Sequence, residues 1–236
     1  MSVKIIAFAQ AKGGVGKSTL CANLATIFAE RQKVLLIDCD PPQHSINAWH
    51  QIREANYETT GLSVASIDKP SELFNLLQQS AAEYDLILLD GPPHINPLTR
   101  ALVAVSSLVI VPLAPSPVEV WSFHAMDELM QQVAEVNKEV IARICWTRVR
   151  KRVKSAEYLI DEVNKAVKIK PLNSVLTQRV AYLDSFAEGL SVYEWSDTVA
   201  RAELWSVHSA LQRLIKRSAE PAIAQRKEIL AWSRSG

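Results

Sequence analysis

The feature that most constrains this sequence is a glycine-rich segment placed between an apolar run and a helix-length segment. Residues 12–19 read Lys-Gly-Gly-Val-Gly-Lys-Ser-Thr; they follow the apolar run Val3–Ala9 and lead into a predicted helix over Ser18–Arg31. Glycines let backbone N–H groups curl around an anion, and a helix N-terminus adds the positive end of its dipole. A strand, a glycine-rich turn and a helix in this order predict a phosphate site.

Apolar runs of strand length recur and alternate with helix-length segments. After the first run they are Val34–Asp38, Leu86–Leu89, Leu108–Leu113 and Val140–Cys145. Such continuous apolar runs are typical of strands covered on both faces, and the alternation predicts an α/β fold with a doubly wound, mainly parallel sheet flanked by helices. The predicted helices after the first are Pro70–Ala82, Pro97–Val105, Val118–Asn137, Ser155–Val167, Val180–Glu188 and Asp197–Arg217.

Length and composition indicate an ordinary globular protein. The chain has 236 residues, of which 48% are hydrophobic and 22% charged, and no linker-like stretch divides it. We therefore expect one domain over residues 1–236, with a short helical tail from about residue 218. The apolar runs are far shorter than the roughly 20 residues that span a bilayer, and the N-terminus lacks the pattern of a secretory signal. A cytoplasmic location is expected, with Cys21, Cys39 and Cys145 as reduced core residues.

Residue roles at the phosphate site follow from the chemistry of its side chains. Lys17 is expected against the β and γ phosphates of a nucleotide, the Ser18 hydroxyl on Mg²⁺ and Thr19 beside the α phosphate. The usual Walker pattern has glycine six residues before this lysine, where Ala11 stands here. The whole segment, from Lys12 through Gly13, Gly14, Val15, Gly16, Lys17, Ser18 and Thr19, instead resembles the deviant Walker-A loop of the ParA and MinD group of P-loop ATPases. By that resemblance, Lys12 reaches across a dimer to the partner's nucleotide.

Two carboxylate segments occur in the order that this family shows. Residues 38–43, Asp-Cys-Asp-Pro-Pro-Gln, resemble its Asp-x-Asp-Pro-Gln element with one additional proline, Pro42. The resemblance implies that Asp38 supports the magnesium shell and that Asp40 positions or activates the attacking water. Residues 86–93 resemble the Walker-B strand and loop, with Asp90 near magnesium. Lys12, Lys17 and Asp40 are thus the expected catalytic residues, with Ser18, Asp38 and Asp90 at the metal.

The position of the nucleobase is indicated less directly. Residues 111–117, Val-Pro-Leu-Ala-Pro-Ser-Pro, resemble the family's loop near base and ribose, so Pro115 and Pro117 are expected to bind nucleotide. Many relatives carry an adenine-reading Asn where residues 145–148 read Cys-Trp-Thr-Arg, and this Asn is absent. ATP and Mg²⁺ are the cofactors that the resemblance implies.

A basic run suggests what the ATPase acts on. Residues 143–154 carry six Lys or Arg and no acid, although the formal net charge of the chain is only +1. Such a cluster can bind the phosphate backbone of DNA without reading sequence, although a charge run is commonly just a solvated face. The expected DNA-binding residues are Arg148, Arg150, Lys151, Arg152 and Lys154.

The resemblance extends over residues 3 to about 215 and favours the short ParA-type partition and positioning ATPases. It implies an ATP sandwich homodimer that binds nonspecific DNA on the nucleoid and is released when a cargo-bound, ParB-like adaptor stimulates slow ATP hydrolysis. Two alternatives stay open. One is a MinD-like membrane-switch ATPase, for which the tail 221–236 is only modestly amphipathic; the other is a metabolic ATP-dependent enzyme on the same fold. We expect no membrane partner.

Overall fold

A seven-stranded sheet forms the centre of the protein in the computed structural model, which describes residues 3–40 and 43–235. Its strand order is β3-β2-β4-β1-β5-β6-β7, and every pair of neighbours is parallel. The strands are β1 (Lys4–Phe8), β2 (Val34–Asp38), β3 (Leu62–Ser66), β4 (Leu86–Asp90), β5 (Leu108–Leu113), β6 (Ile141–Val149) and β7 (Pro171–Thr177). This confirms the predicted parallel α/β sheet.

Helices connect the strands and cover both faces of the sheet. They are α1 (Lys17–Ala29), α2 (Ser45–Asn56), α3 (Pro70–Ser80), α4 (Pro97–Val105), α5 (Pro117–Val133), α6 (Lys154–Ala166), α7 (Ala181–Ala187), α8 (Thr198–Ile215) and α9 (Arg226–Arg234), with a short 3₁₀ turn over Ile223–Gln225. Each helix between two parallel strands returns the chain to the same edge. All strand ends that precede these crossovers therefore meet on one side of the molecule.

Side-chain alternation along the strands divides the core into two layers. Ile5 and Ala7 of β1 point into one layer with residues of α3, α4, α5 and α9, whereas Ile6 and Phe8 point into the other with residues of α1, α2 and α8. The central strands β1, β2, β4 and β5 are almost wholly buried. Burial on both faces is the reason that their sequences are continuous apolar runs. The three cysteines lie buried in this core as free thiols.

The structure differs from the predicted elements in several places. Strands β3 and β7 and helix α2 were not predicted, and β6 continues to Val149, four residues past the predicted end at Cys145. The tail from residue 218 contains α9, which starts at Arg226 and packs against α3 and α4. The additional proline, Pro42, lies outside the described residues. Within the described part of the chain, no helix is both long enough and apolar enough to span a membrane.

Candidate nucleotide site

The glycine-rich segment forms an open loop between β1 and α1. Gly14 and Gly16 have φ angles of 75° and 95°, in the left-handed region that glycine adopts without strain. Gly16 stands at the N-cap of α1, so the first backbone N–H groups of the helix face the loop. Lys17 is buried, and its Nζ donates to the Lys12 carbonyl at 3.1 Å. The lysine amine is therefore folded over the space that the loop encloses.

Asp90 ends the neighbouring strand β4 as a buried carboxyl, and among the described residues neither of its oxygens has a hydrogen-bond partner of good geometry. Burial raises the pKa of Asp90 to about 8; the nearby Ser18 hydroxyl and Lys17 favour the charged form, and Asp38 disfavours it. A buried carboxyl without partners is costly, and a cation or a cation-bound water would satisfy it. Asp90 beside Ser18 fits the residues that would hold Mg²⁺.

Asp38 and Asp40 lie at the end of β2 with different surroundings. Asp38 Oδ1 accepts from the Asp40 backbone N–H at 3.0 Å, and Asp38 Oδ2 accepts from the N–H groups of Ile46 at 3.1 Å and Asn47 at 3.4 Å. Asp38 thus fixes the loop that carries Asp40 and the start of α2. Its predicted part in the magnesium shell stays a prediction.

The Asp40 carboxyl lies in the same group of charges as Lys17. Burial raises the pKa of Asp40; Lys17 lowers it and Asp38 raises it, with smaller lowering effects of His44 and His94. Burial also lowers the pKa of Lys17, against the opposing effects of Asp90, Asp40 and Glu119. Four acidic groups and two lysines therefore lie close together at the phosphate loop: Asp38, Asp40, Asp90 and Glu119, with Lys12 and Lys17.

The loop after β4 packs directly under the phosphate loop. Gly91 N–H donates to the Phe8 carbonyl at 2.9 Å, and a Cβ atom at Gly91 would approach that oxygen to 2.8 Å. Only glycine fits this close approach without a shift of the backbone. His94 N–H then donates to the Ala11 carbonyl at 2.8 Å. The Walker-B-like segment is thereby held against the loop that it would serve.

Glu119 contacts the phosphate loop, and no motif of the sequence indicates it. It lies in the first turn of α5, and its Oε1 is 3.2 Å from the Lys12 Nζ. Glutamate is common in the first turn of a helix, where it interacts with the helix dipole. No local signal therefore separates Glu119 from an ordinary first-turn acid.

A cavity of about 450 Å³ opens beside the phosphate loop, on its β6 and β7 side. It is large enough for a base and ribose, and its wall is mainly apolar, as small-molecule sites usually are. The hydroxyl of Thr147, one of the lining residues, donates to the Val15 carbonyl at 3.1 Å and ties β6 to the phosphate loop. The lining residues are Val15, Gly16, Thr19, Leu20, Thr147, Arg148, Leu176, Thr177, Gln178, Arg179, Val180, Tyr182 and Leu183.

The predicted base-binding prolines lie elsewhere. Pro115 and Pro117 follow β5 at the start of α5 and do not line this cavity, so their contact with nucleotide stays a prediction. The Cys145–Arg148 segment, which lacks the adenine-reading Asn of many relatives, contributes Thr147 and Arg148 to the cavity wall. Gln178, in the loop after β7, and Tyr182, in the first turn of α7, were not predicted to lie there.

The predicted DNA-binding residues are all exposed, but they differ in the contacts that their side chains form. Arg150 Nε donates to Gln178 Oε1 at 2.7 Å, and Lys151 Nζ lies 3.1 Å from Glu203 Oε1. Arg148 lines the cavity. Arg152 and Lys154 form no side-chain hydrogen bond or ion pair within the described residues, so they are the cations most available to another molecule.

A glycine-rich loop at the head of α1, with acidic strand ends around it on a parallel sheet, defines a nucleotide-binding protein of the P-loop class. Residues 6–192 match the family model described as the CobQ/CobB/MinD/ParA nucleotide binding domain. The chain belongs to this family.

Several members of the family resemble the chain over most of its length. The maintenance of carboxysome distribution protein A of Halothiobacillus neapolitanus is 24% identical over 192 residues, covering 80% of this chain and 86% of the relative. The chromosome partitioning protein ParA of Myxococcus xanthus is 24% identical over 234 residues, covering 81% and 82%. The solved structure of apo McdA from Cyanothece superposes with a TM-score of 0.77 at 16% identity, covering 89% of this chain and 99% of that one. The structural likeness supports the fold.

Proposed function

We propose that the protein is an ATP-dependent positioning ATPase of the ParA type. In this proposal ATP and Mg²⁺ bind at the phosphate loop, and two nucleotide-bound copies form a homodimer. The dimer binds DNA nonspecifically in the cytoplasm, on the nucleoid, and leaves it when a cargo-bound adaptor protein stimulates slow hydrolysis to ADP and phosphate. The observation that carries the proposal is the meeting of Lys12, Lys17, Asp40 and Asp90 around one phosphate loop.

The residues at the loop suit phosphoryl transfer to water. Backbone N–H groups of residues 13–19 and the Lys17 amine would neutralise the phosphates, and this type of preorganised charge is the main source of catalysis in such reactions. The Asp40 carboxylate would orient the attacking water and accept its proton. Bound Mg²⁺, held through Ser18 and Asp90, would supply further charge for the phosphate oxygens.

The cavity beside the loop would receive the base and ribose. It adjoins Gly16 and Thr19 directly, so a nucleotide with its phosphates on the loop reaches it without a gap. Its apolar wall would cover the faces of the base, as in other small-molecule sites.

The Asp40 assignment is tested with the Asp40→Ala variant. We expect it to bind ATP like the wild type and to accumulate as an ATP-bound dimer, while its phosphate release falls by about 10²-fold or more, the range typical of a lost general base. Nucleotide binding, phosphate release and light scattering would be measured on the same preparation. Asp161→Ala changes an exposed aspartate of α6 and serves as the matched control. Normal hydrolysis by Asp40→Ala would show that the assignment is wrong.

A further inference from the structure

Lys12, the lysine that marks this variant of the phosphate loop, already has a partner within its own chain. Its amine is 3.2 Å from Oε1 of Glu119. The lysine side chain is 36% exposed, whereas the glutamate side chain is 9% exposed. The pair therefore lies at the rim of the site, with the carboxylate on the inner side and the ammonium group on the outer side.

The Glu119 carboxylate depends on this lysine. Its second oxygen, Oε2, is buried without a hydrogen-bond partner among the described residues. The carboxylate also lies close enough to Lys17 to oppose the lowering of the Lys17 pKa by burial, together with Asp90 and Asp40. Removing one partner of a buried ion pair leaves an uncompensated charge, which is strongly unfavourable. Departure of Lys12 would leave the largely buried Glu119 carboxylate without its direct ion-pair partner, with Lys17 as the other nearby lysine.

We propose that Glu119 is a positioning residue that holds Lys12 on its own subunit and so opposes dimer formation until enough ATP is bound. The inference rests on the proposed function, in which Lys12 leaves its subunit for the nucleotide of a second copy. Breaking the Lys12–Glu119 pair is then part of the free energy of dimerisation. The strength of this pair sets how much ATP the protein needs before it dimerises.

The pair itself is tested in the nucleotide-free protein, where dimerisation plays no part. Glu119→Gln keeps the size of the side chain and removes its charge. An amine-reactive ester, with the labelled peptides quantified by mass spectrometry, should modify Lys12 several-fold faster in this variant, relative to the exposed Lys138 as an internal reference. Glu128→Gln, an exposed position on the same helix, should leave the labelling of Lys12 unchanged. Equal Lys12 labelling in Glu119→Gln and the wild type would overturn the pairing.

The consequence for assembly is tested by light scattering across an ATP titration with Mg²⁺. Glu119→Gln should dimerise at an ATP concentration on the order of tenfold lower than the wild type. Glu119→Asp, which keeps the charge but shortens the side chain, should fall between the two and also tests the idea if Glu119→Gln folds poorly. A midpoint that is unchanged or raised in Glu119→Gln would contradict the inference. If the wild type itself never dimerises, the proposed function fails, and the labelling result still decides whether Glu119 holds Lys12.

Discussion

The carboxyl of Asp90 is kept towards its neutral form by burial at the end of β4, which raises its pKa to about 8 from an ordinary value of 3.8. Between these two pH values the folded protein binds a proton that the unfolded chain lacks. The contribution of Asp90 to stability is therefore fully present below pH 3.8 and is lost as the pH rises through about 8. The nucleotide-free protein should lose stability over this range.

The Asp90→Asn variant should show this dependence by removing it. Because Asn stays neutral, the difference in unfolding free energy between the variant and the wild type should grow in favour of the variant as the pH rises from 6 to 8. The growth is at most about 1.4 kcal/mol per pH unit, with about 2–4 °C in Tm for each kcal/mol. Thermal unfolding across this pH range measures the difference in stability. Asp161→Asn, at an exposed position of α6, is the control. A pH-independent difference would contradict the assigned ionisation.

The site residues that the sequence predicts are those that stand inside a recognisable motif. Lys17 and Asp90 stand at fixed places in segments whose chemistry is readable, and the structure brings both to the phosphate loop. Glu119 stands in no such segment. Its partner is more than a hundred residues away in sequence and meets it only because β1 and β5 are neighbours in the sheet. Contacts of this kind depend on the tertiary fold and have no local pattern.

The elements that were not predicted lie at the sheet edges or depend on distant partners. Strands β3 and β7 occupy the two edges of the sheet in the described part of the chain. Each has a strand neighbour there on one side only, and polar residues such as Ser63 and Asn173 are tolerated. Their sequences therefore lack a continuous apolar run. Among the described residues, no side chain at the N-cap of α2 caps the helix. The N–H groups of Ile46 and Asn47 instead donate to Asp38, seven residues before the helix begins. A local search for capping residues could not identify this start.

The loop from β6 to α6 supplies a prediction about DNA. Arg152 and Lys154 are exposed, whereas Lys151 is paired with Glu203. If both free cations contact phosphates, Arg152→Ala with Lys154→Ala should lower the slope of log affinity against log salt by about 1.8, since each phosphate contact contributes about 0.9. Binding to random-sequence duplex DNA would be measured with ATP and Mg²⁺ across a salt series.

Two single variants show whether the decrease in the salt slope is specific to Arg152 and Lys154. Lys151→Ala should change the slope less than either free cation, and the exposed Lys138→Ala should not change it. A double variant of Arg152 and Lys154 that keeps the wild-type slope would place the DNA surface elsewhere on the protein.

At the scale of the whole molecule, the chain beyond α8 is bound to the body of the fold. Lys4 Nζ donates to the carbonyls of Ser218 at 2.8 Å and Ala219 at 3.0 Å, and Ala222 N–H donates to the Val105 carbonyl at 2.9 Å. In α9, Ile229 is fully buried. A helix that switched onto a membrane would have to expose its apolar face, and here that face is already covered by the protein core.

The stacking of Arg100 on Trp232 allows this attachment to be tested. The guanidinium carbon lies 4.2 Å from the centre of the indole ring, and Trp232 packs against the core while Trp121 on α5 is 70% exposed. Trp232→Ala should therefore cost roughly 2 kcal/mol, less than the 3–5 kcal/mol of a fully buried tryptophan, and lower Tm by about 4–8 °C. Trp121→Ala should stay within about 0.5 kcal/mol of the wild type in a urea titration.

The same two tryptophans separate the positioning ATPase from the membrane-switch alternative. If α9 stays docked, the full-length protein with ATP and Mg²⁺ should not sediment with anionic liposomes, and Trp232→Ala should alter stability without altering sedimentation. A helix that inserted into lipid would give the opposite result, because Trp232 would then contribute apolar area to membrane binding instead of to the core. Liposome binding that is lost in Trp232→Ala and kept in Trp121→Ala would therefore favour the membrane switch.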